Sequence, residues 1–78
     1  MQIVINVKPE SMCNITFFDG MGTQIYPPHN LWYQDIIPYI QDICDEHDIN
    51  LINIIGPNTY IQRLKENLKV VFPTVKIV

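Results

Sequence analysis

The segment from Leu51 to Tyr60 constrains the fold of this chain more than any other. Leu51, Ile52, Ile54 and Ile55 form a near-continuous apolar run that ends at Gly56-Pro57-Asn58-Thr59. A stretch with Ile61, Leu64 and Leu68 at helical spacing follows, beside Tyr60, and stops at Phe72-Pro73. A second β-rich run, Thr74 to Val78, comes at once. Strand, tight turn, helix and strand in this order make a βαβ unit, whose right-handed crossover lays the two strands parallel in one sheet. Its unbroken apolarity predicts that the strand Asn50 to Ile55 is covered on both faces, as central parallel strands are. Pro57 suits the first helical position, and Asn58 serves equally well as a cap. Lys65 and Lys69 fall in the last turns, where a cation complements the helix dipole.

The first part of the chain has a different period. Ile3, Ile5 and Val7 alternate with Val4, Asn6 and Lys8, which is strand patterning, and Pro9-Glu10-Ser11 breaks it. Met12 to Asp19 is a second strand rich in β-formers. Asp19-Gly20-Met21-Gly22 is a hairpin turn in which Asp-Gly supplies the positive-φ positions. Thr23 to Tyr26 is a short third strand closed by Pro27-Pro28, and the three strands form an antiparallel meander. From His29 to Asp48 the apolar residues Ile36, Ile40, Ile43 and Cys44 recur at helical spacing, widened by Tyr33 and Ile37. Pro38 allows two arrangements. A helix from about Leu31 contains Pro38 and kinks there; a helix capped by Asp35 holds Pro38 in its first turn, where the missing N–H costs little. The first is preferred, because Trp32 and Tyr33 continue the apolar face. The expected fold is a single α/β domain over residues 1–78. Its order is β-β-β-α-β-α-β, an antiparallel meander followed by a parallel βαβ unit, in a mixed five-stranded sheet of spatial order 3-2-1-4-5.

Seventy-eight residues bury only about 60–65% of the surface of the unfolded chain, so a partner or a homo-oligomer would add stability. With 17% charged residues and a net charge of −3, the chain lacks the field of Lys and Arg that nucleic acid requires, and a nucleic-acid partner is not expected. Two cysteines, Cys13 and Cys44, make no disulfide framework. No signal-peptide pattern precedes the first strand, so reduced, buried thiols and a cytoplasmic location are expected, with Asn14-Ile15-Thr16 a chance sequon. The wealth of Ile and Asn suits an AT-rich genome such as that of a virus or a low-GC bacterium; for a viral chain the compartment is the host cytoplasm. No apolar run approaches the roughly 20 residues that span a bilayer, so no membrane role is expected.

The element order, together with the segment Asp48 to Pro57, resembles a trimmed ribonuclease H-like fold, in the style of small RuvC/YqgF-type domains. The resemblance covers most of the chain and lies at the level of the fold. Members that cut nucleic acid carry an Asp in the first strand and further acids at the end of the fourth strand and on a late helix. Here the first strand offers Asn6 and Lys8, the fourth ends in Ile55-Gly56, and the last element has no acid. The carboxylate set that two-metal phosphoryl chemistry needs is missing. The resemblance therefore implies the shape without the nuclease activity. A ferredoxin-like or other small α/β sandwich is the alternative fold.

Several clusters are candidate sites. Gly56, Asn58 and Thr59 open a helix at a strand end, where free N–H groups and the nearby Lys8 could hold an anion; a capped turn is the plainer explanation, and no phosphate-loop motif is present. Cys44 and His47 share a helix face, but a zinc site wants four well-spaced ligands, so no metal is expected. Asp42, Asp45, Glu46 and Asp48 crowd a helix C-terminus, where the dipole disfavours each by about 0.3–1 kcal/mol; they form either a solvated face or a docking surface for a basic partner. Trp32 and Tyr33 combine large area with a polar handle and suit either an exposed contact or a lid over the sheet. Ser11 lies in a turn. A Cys13/His29 pair is conceivable, although strand thiols are usually inert. Along one continuous helix, His29 and His47 would stand about 27 Å apart.

These features point to a small non-enzymatic interaction module, accessory or regulatory, that binds another protein through Trp32, Tyr33, Asp42, Asp45 and Glu46. No catalytic residue, cofactor or metal is expected. Two other classes stay open. One is an enzyme or ligand binder directed at phosphate or nucleic acid through Lys8, Asp19 and Gly56 to Thr59. The other is a self-assembling subunit that pairs through a sheet edge, either the third strand or the last.

Overall fold

A computed structural model describes residues 1–9 and 12–78, apart from the side chain of Asn58. The expected break at Glu10-Ser11 and the capping and ligand roles of the Asn58 side chain lie outside the described residues. The chain runs β1 (Gln2–Val7), β2 (Met12–Phe18), β3 (Gln24–Trp32), a 3₁₀ turn (Tyr33–Asp35), α1 (Ile36–Cys44), β4 (Leu51–Ile55), α2 (Asn58–Val71) and β5 (Lys76–Ile77). One mixed sheet holds the strands in the order β3-β2-β1-β4-β5. β1 is antiparallel to β2 and parallel to β4, β2 is antiparallel to β3, and β4 is parallel to β5. The expected α/β class, element order and strand order all hold.

The alternation in β1 sends Ile3, Ile5 and Val7 to one face. The register places Phe17, Ile15 and Cys13 opposite them on β2, and Ile52 and Ile54 beside them on β4. All eight are buried, and they form one core with Ile36 and Ile40 of α1 and Ile61, Leu64 and Leu68 of α2. Both helices therefore cover the same face. The physical reason is topological. β3 runs parallel to β4, so β3-α1-β4 and β4-α2-β5 are both parallel crossovers that step toward the β5 edge. Two right-handed crossovers stepping in one direction must lie on one side of a sheet.

This corrects the expectation that β4 is covered on both faces. Ile52 and Ile54 are buried, Leu51 and Asn53 are half-buried, and Ile55 is exposed. The apolar run reflected one buried face and one open face that happens to carry leucine and isoleucine.

The third strand does not stop at Pro27-Pro28. It continues to Trp32, pairing Leu31 with Cys13 and Trp32 with Met12. β3 is an edge strand, where proline's missing N–H need not face a partner. Because His29 to Trp32 is committed to the sheet, no helix starts at Leu31. A 3₁₀ turn spends Tyr33 to Asp35, α1 begins at Ile36, and Pro38 sits unkinked in its first turn. In the β2–β3 hairpin the positive φ belongs to Gly22 (φ 83), not to Gly20. Gly22 N–H donates to the Asp19 carbonyl at 3.1 Å, and Asp19 N–H donates to the Thr23 carbonyl at 2.9 Å. At the start of α2, Pro57 is the N-cap with an extended backbone, and its carbonyl accepts from Tyr60 and Ile61 N–H, each at 3.2 Å.

Candidate functional site

Along a regular strand, residues three apart point to opposite faces. Tyr26 and His29 are three apart, yet both point to the helix-covered side. On β2 their partners, Phe17 and Ile15, are two residues apart. One extra residue is therefore inserted in β3 at Pro27-Pro28, a β-bulge that brings the two rings onto one face. α1 supplies the opposite wall. Tyr39 and Ile43 stand four residues apart on one side of the helix. The chain after α1 stays wound, with Glu46 N–H at 3.0 Å and His47 N–H at 2.9 Å from the Ile43 carbonyl. That extra turn carries Glu46 and His47 to the mouth.

Between these walls lies a groove of about 260 Å³ lined by Tyr26, His29, Tyr39, Ile43, Glu46 and His47. Phe17 braces it from the core: its ring meets Tyr26 edge-on at 5.9 Å and Tyr39 at 6.0 Å. His29 lies 5.9 Å from Tyr39, and His47 lies 6.3 Å from Tyr26, all between ring centroids. The Tyr26 phenol oxygen and His47 Nε2 are 3.3 Å apart, a hydrogen bond that ties β3 to the end of α1. Burial raises the Tyr39 phenol above its ordinary pKa, and the nearby Tyr26 adds to the shift, so the Tyr39 phenol stays protonated at neutral pH. The groove thus offers π faces and one carboxylate, and no residue that lines it is Lys or Arg. Asp42, Asp45 and Asp48 are exposed around the same helix end.

The structure divides the aromatic and acidic residues that the sequence grouped together. Trp32 is 54% exposed, but it pairs with Met12 on the face away from α1. Tyr33 is half-buried; its hydroxyl donates to the Tyr60 carbonyl at 3.4 Å, and the two rings meet edge-on. Asp42, Asp45 and Glu46 stand at the far end of α1 from Trp32 and Tyr33. Of the three, Glu46 lines the groove with Tyr26, His29, Tyr39 and His47. The two histidines were expected about 27 Å apart on one helix; with His29 on β3 and α1 only nine residues long, they line one groove.

The residues of the phosphate-directed reading do not meet as one group. Lys8 and Gly56 follow the neighbouring ends of β1 and β4, where Asn6 pairs with Ile55. Thr59 is exposed in the first turn of α2. Gly56 (φ 145) is pressed against β1, so that a Cβ there would collide with the Val7 carbonyl oxygen. Asp19 lies at the opposite end of the sheet, beyond the pair Gln2–Phe18, about 20 Å away along β1. Its Oδ1 accepts from Met21 and Thr23 N–H, both at 2.9 Å, so its carboxylate organises the hairpin. Burial pushes the Cys13 thiol up to about 11, opposite to what a nucleophile needs. Cys44 packs against the core, and burial raises its thiol pKa too, with Asp45 adding to the shift. Among the described residues no group of three or more His, Cys, Asp or Glu could hold a metal ion, and no helix is long and apolar enough to cross a membrane.

Sequence reasoning missed Tyr26, His29, Tyr39 and His47 as a set. Tyr39, Ile43 and His47 recur every fourth residue, a helical signal that was available. The partnership with β3 depends on the bulge, whose only trace in the sequence is Pro27-Pro28. Comparison with protein families, with characterised proteins and with solved structures finds no significant match.

Proposed function

We propose that this protein is a small non-enzymatic interaction module, accessory or regulatory, that binds a basic segment of another protein. A Lys or Arg side chain of the partner enters the groove between β3 and α1, and the acidic end of α1 forms the rim. The observation that carries this reading is the lining: two tyrosines, two histidines, one isoleucine and one glutamate, with no Lys or Arg. A cation over tyrosine faces gains about 0.5–1 kcal/mol at an exposed site and about 2 kcal/mol when desolvated. Glu46 adds a charge-assisted hydrogen bond. Asp42, Asp45 and Asp48 supply longer-range attraction that raises the association rate and falls with salt. The free thiols Cys13 and Cys44 suit a reducing compartment, and a cytoplasmic location belongs to the same proposal. So does kinship with ribonuclease H-like domains, as a scaffold whose β1 has no carboxylate.

The test is titration, followed by NMR, with short peptides that differ at one residue. Arg- and Lys-containing peptides are expected to shift the ring signals of Tyr26 and Tyr39, and the Glu and Ala versions are not. Tyr26→Ala and Glu46→Lys should each weaken the interaction at least about tenfold. Equal binding of acidic and basic peptides, or full affinity in both variants, would sink the proposal.

A further inference from the structure

The face of the sheet that carries no helix has an unusual chemistry. Across β3, β2 and β1 the register aligns Asn30, Asn14 and Asn6 in one row. Asn14 Nδ2 donates to Asn30 Oδ1 at 3.1 Å, and the Thr16 hydroxyl donates to Asn14 Oδ1 at 3.5 Å, so the amides are already oriented. Apolar side chains surround the row: Val4 at the centre, Phe18 and Leu51 on one side, Met12 and Trp32 on the other. None of these five belongs to the core cluster.

The charge distribution is as selective. The chain has eight acids and a net charge of −3. Every described acid lies off this face: Asp19 in the hairpin turn, Asp35 in the 3₁₀ turn, Asp42 on α1, Asp45, Glu46 and Asp48 after it, and Glu66 on α2. Within the paired registers, the charged residue on the face is Lys76, opposite Leu51 at the β5 edge.

We propose that this open face docks against the same face of a second copy of the chain, in a two-fold symmetric dimer. A carboxamide is both donor and acceptor, so a row of asparagines complements its own image under a two-fold axis. With the acids elsewhere, two chains of net charge −3 meet without placing like charges opposite each other. The edges are poor alternatives: β3 is broken by the bulge and two prolines, and β5 has two residues. The four strands β1 to β4, about 4.8 Å apart and five to nine residues long, present roughly 20 Å by 20 Å, about half the standard area per partner, so the dimer is weak and dissociates at micromolar concentrations. Trp32, 54% exposed, and Ile55, 50% exposed, are its anchors. Lys76 and Lys8, the latter continuing the alternation of Val4 and Asn6 past the end of β1, are too little positive charge for a nucleic-acid strand to be the occupant.

Sedimentation from about 10 µM to about 1 mM tests the proposal. The expected result is a reversible rise from monomer to dimer mass. Asn14→Asp, which keeps the shape and adds a carboxylate, and Trp32→Ala should each weaken association at least about tenfold. Val70→Lys, at an exposed position on α2, should leave it unchanged. Amide NMR spectra of both face variants confirm that the monomer fold is kept. A wild-type chain that stays monomeric throughout overturns the proposal. So does a dimer lost in Val70→Lys and retained in both face variants, or a monomer whose open-face signals shift only when an oligothymidine is added.

Discussion

Tyr26 and His47 are 21 residues apart in the chain, and the phenol oxygen of one lies 3.3 Å from Nε2 of the other. The contact joins the edge strand to the end of the first helix and frames the mouth of the groove. It also makes the groove sensitive to the register of β3. Deleting Pro27 removes the inserted residue and leaves Tyr26 and His29 two apart, on one face of a regular strand opposite Phe17 and Ile15. The shortened protein is expected to fold, because β3 is an edge strand, and to keep the NOE contacts between Tyr26 and His47. Loss of those contacts would show that the bulge itself, and not the shared face alone, sets the groove.

Gly56 and Gly22 both have positive φ, but only Gly56 touches backbone. Gly56→Ala forces a methyl group onto the Val7 carbonyl, which is held in the sheet and cannot move aside. A loss of more than about 2 kcal/mol in denaturant unfolding is expected. Gly22→Ala meets open space and carries only the left-handed backbone penalty, about 1 kcal/mol. Gly20→Ala, with neither constraint, should be nearly neutral.

Asp19 holds its hairpin by accepting two hydrogen bonds at one carboxylate oxygen. Asp19→Ala is expected to destabilise the fold by about 1–2 kcal/mol and to speed amide exchange at Met21 and Thr23. Asp19→Asn keeps an acceptor and should recover most of the loss, which hydrogen exchange would read directly.

The Cys13 thiol, at 9.0 in its ordinary setting, is pushed to about 11 by burial. The folded state therefore keeps its proton when the unfolded state has lost it. Stability is full below pH 9 and falls as pH rises toward 11, by up to about 3 kcal/mol at about 1.4 kcal/mol per unit. Tyr33 and Tyr39, also raised chiefly by burial, act in the same direction. Unfolding midpoints between about pH 8 and about pH 11 should show this decline, with a shallower slope in Cys13→Ala. Alkylation of the native protein should label half-buried Cys44 before Cys13.

Much of this architecture was legible in the residues themselves. The two-residue period of Ile3, Ile5 and Val7, the four-residue spacing of Ile36 and Ile40, and the strand–turn–helix–strand order around Gly56-Pro57 are local signals. Local signals set element type, and the handedness of crossovers then leaves few ways to order five strands. The absence of a carboxylate from the first strand was equally plain. Three things depended on partners distant in sequence. Pro27-Pro28 read as a strand end, and only pairing with β2 shows it to be a bulge inside a longer strand. That longer strand moved the helix start past Tyr33 and placed Pro38 in the first turn. The side on which both helices pack decided that Tyr26, His29, Tyr39 and His47 share a groove while Trp32 joins a row of asparagines on the open face. Periodicity tells a strand that its two faces differ; which neighbour covers each face is set by the path of the whole chain.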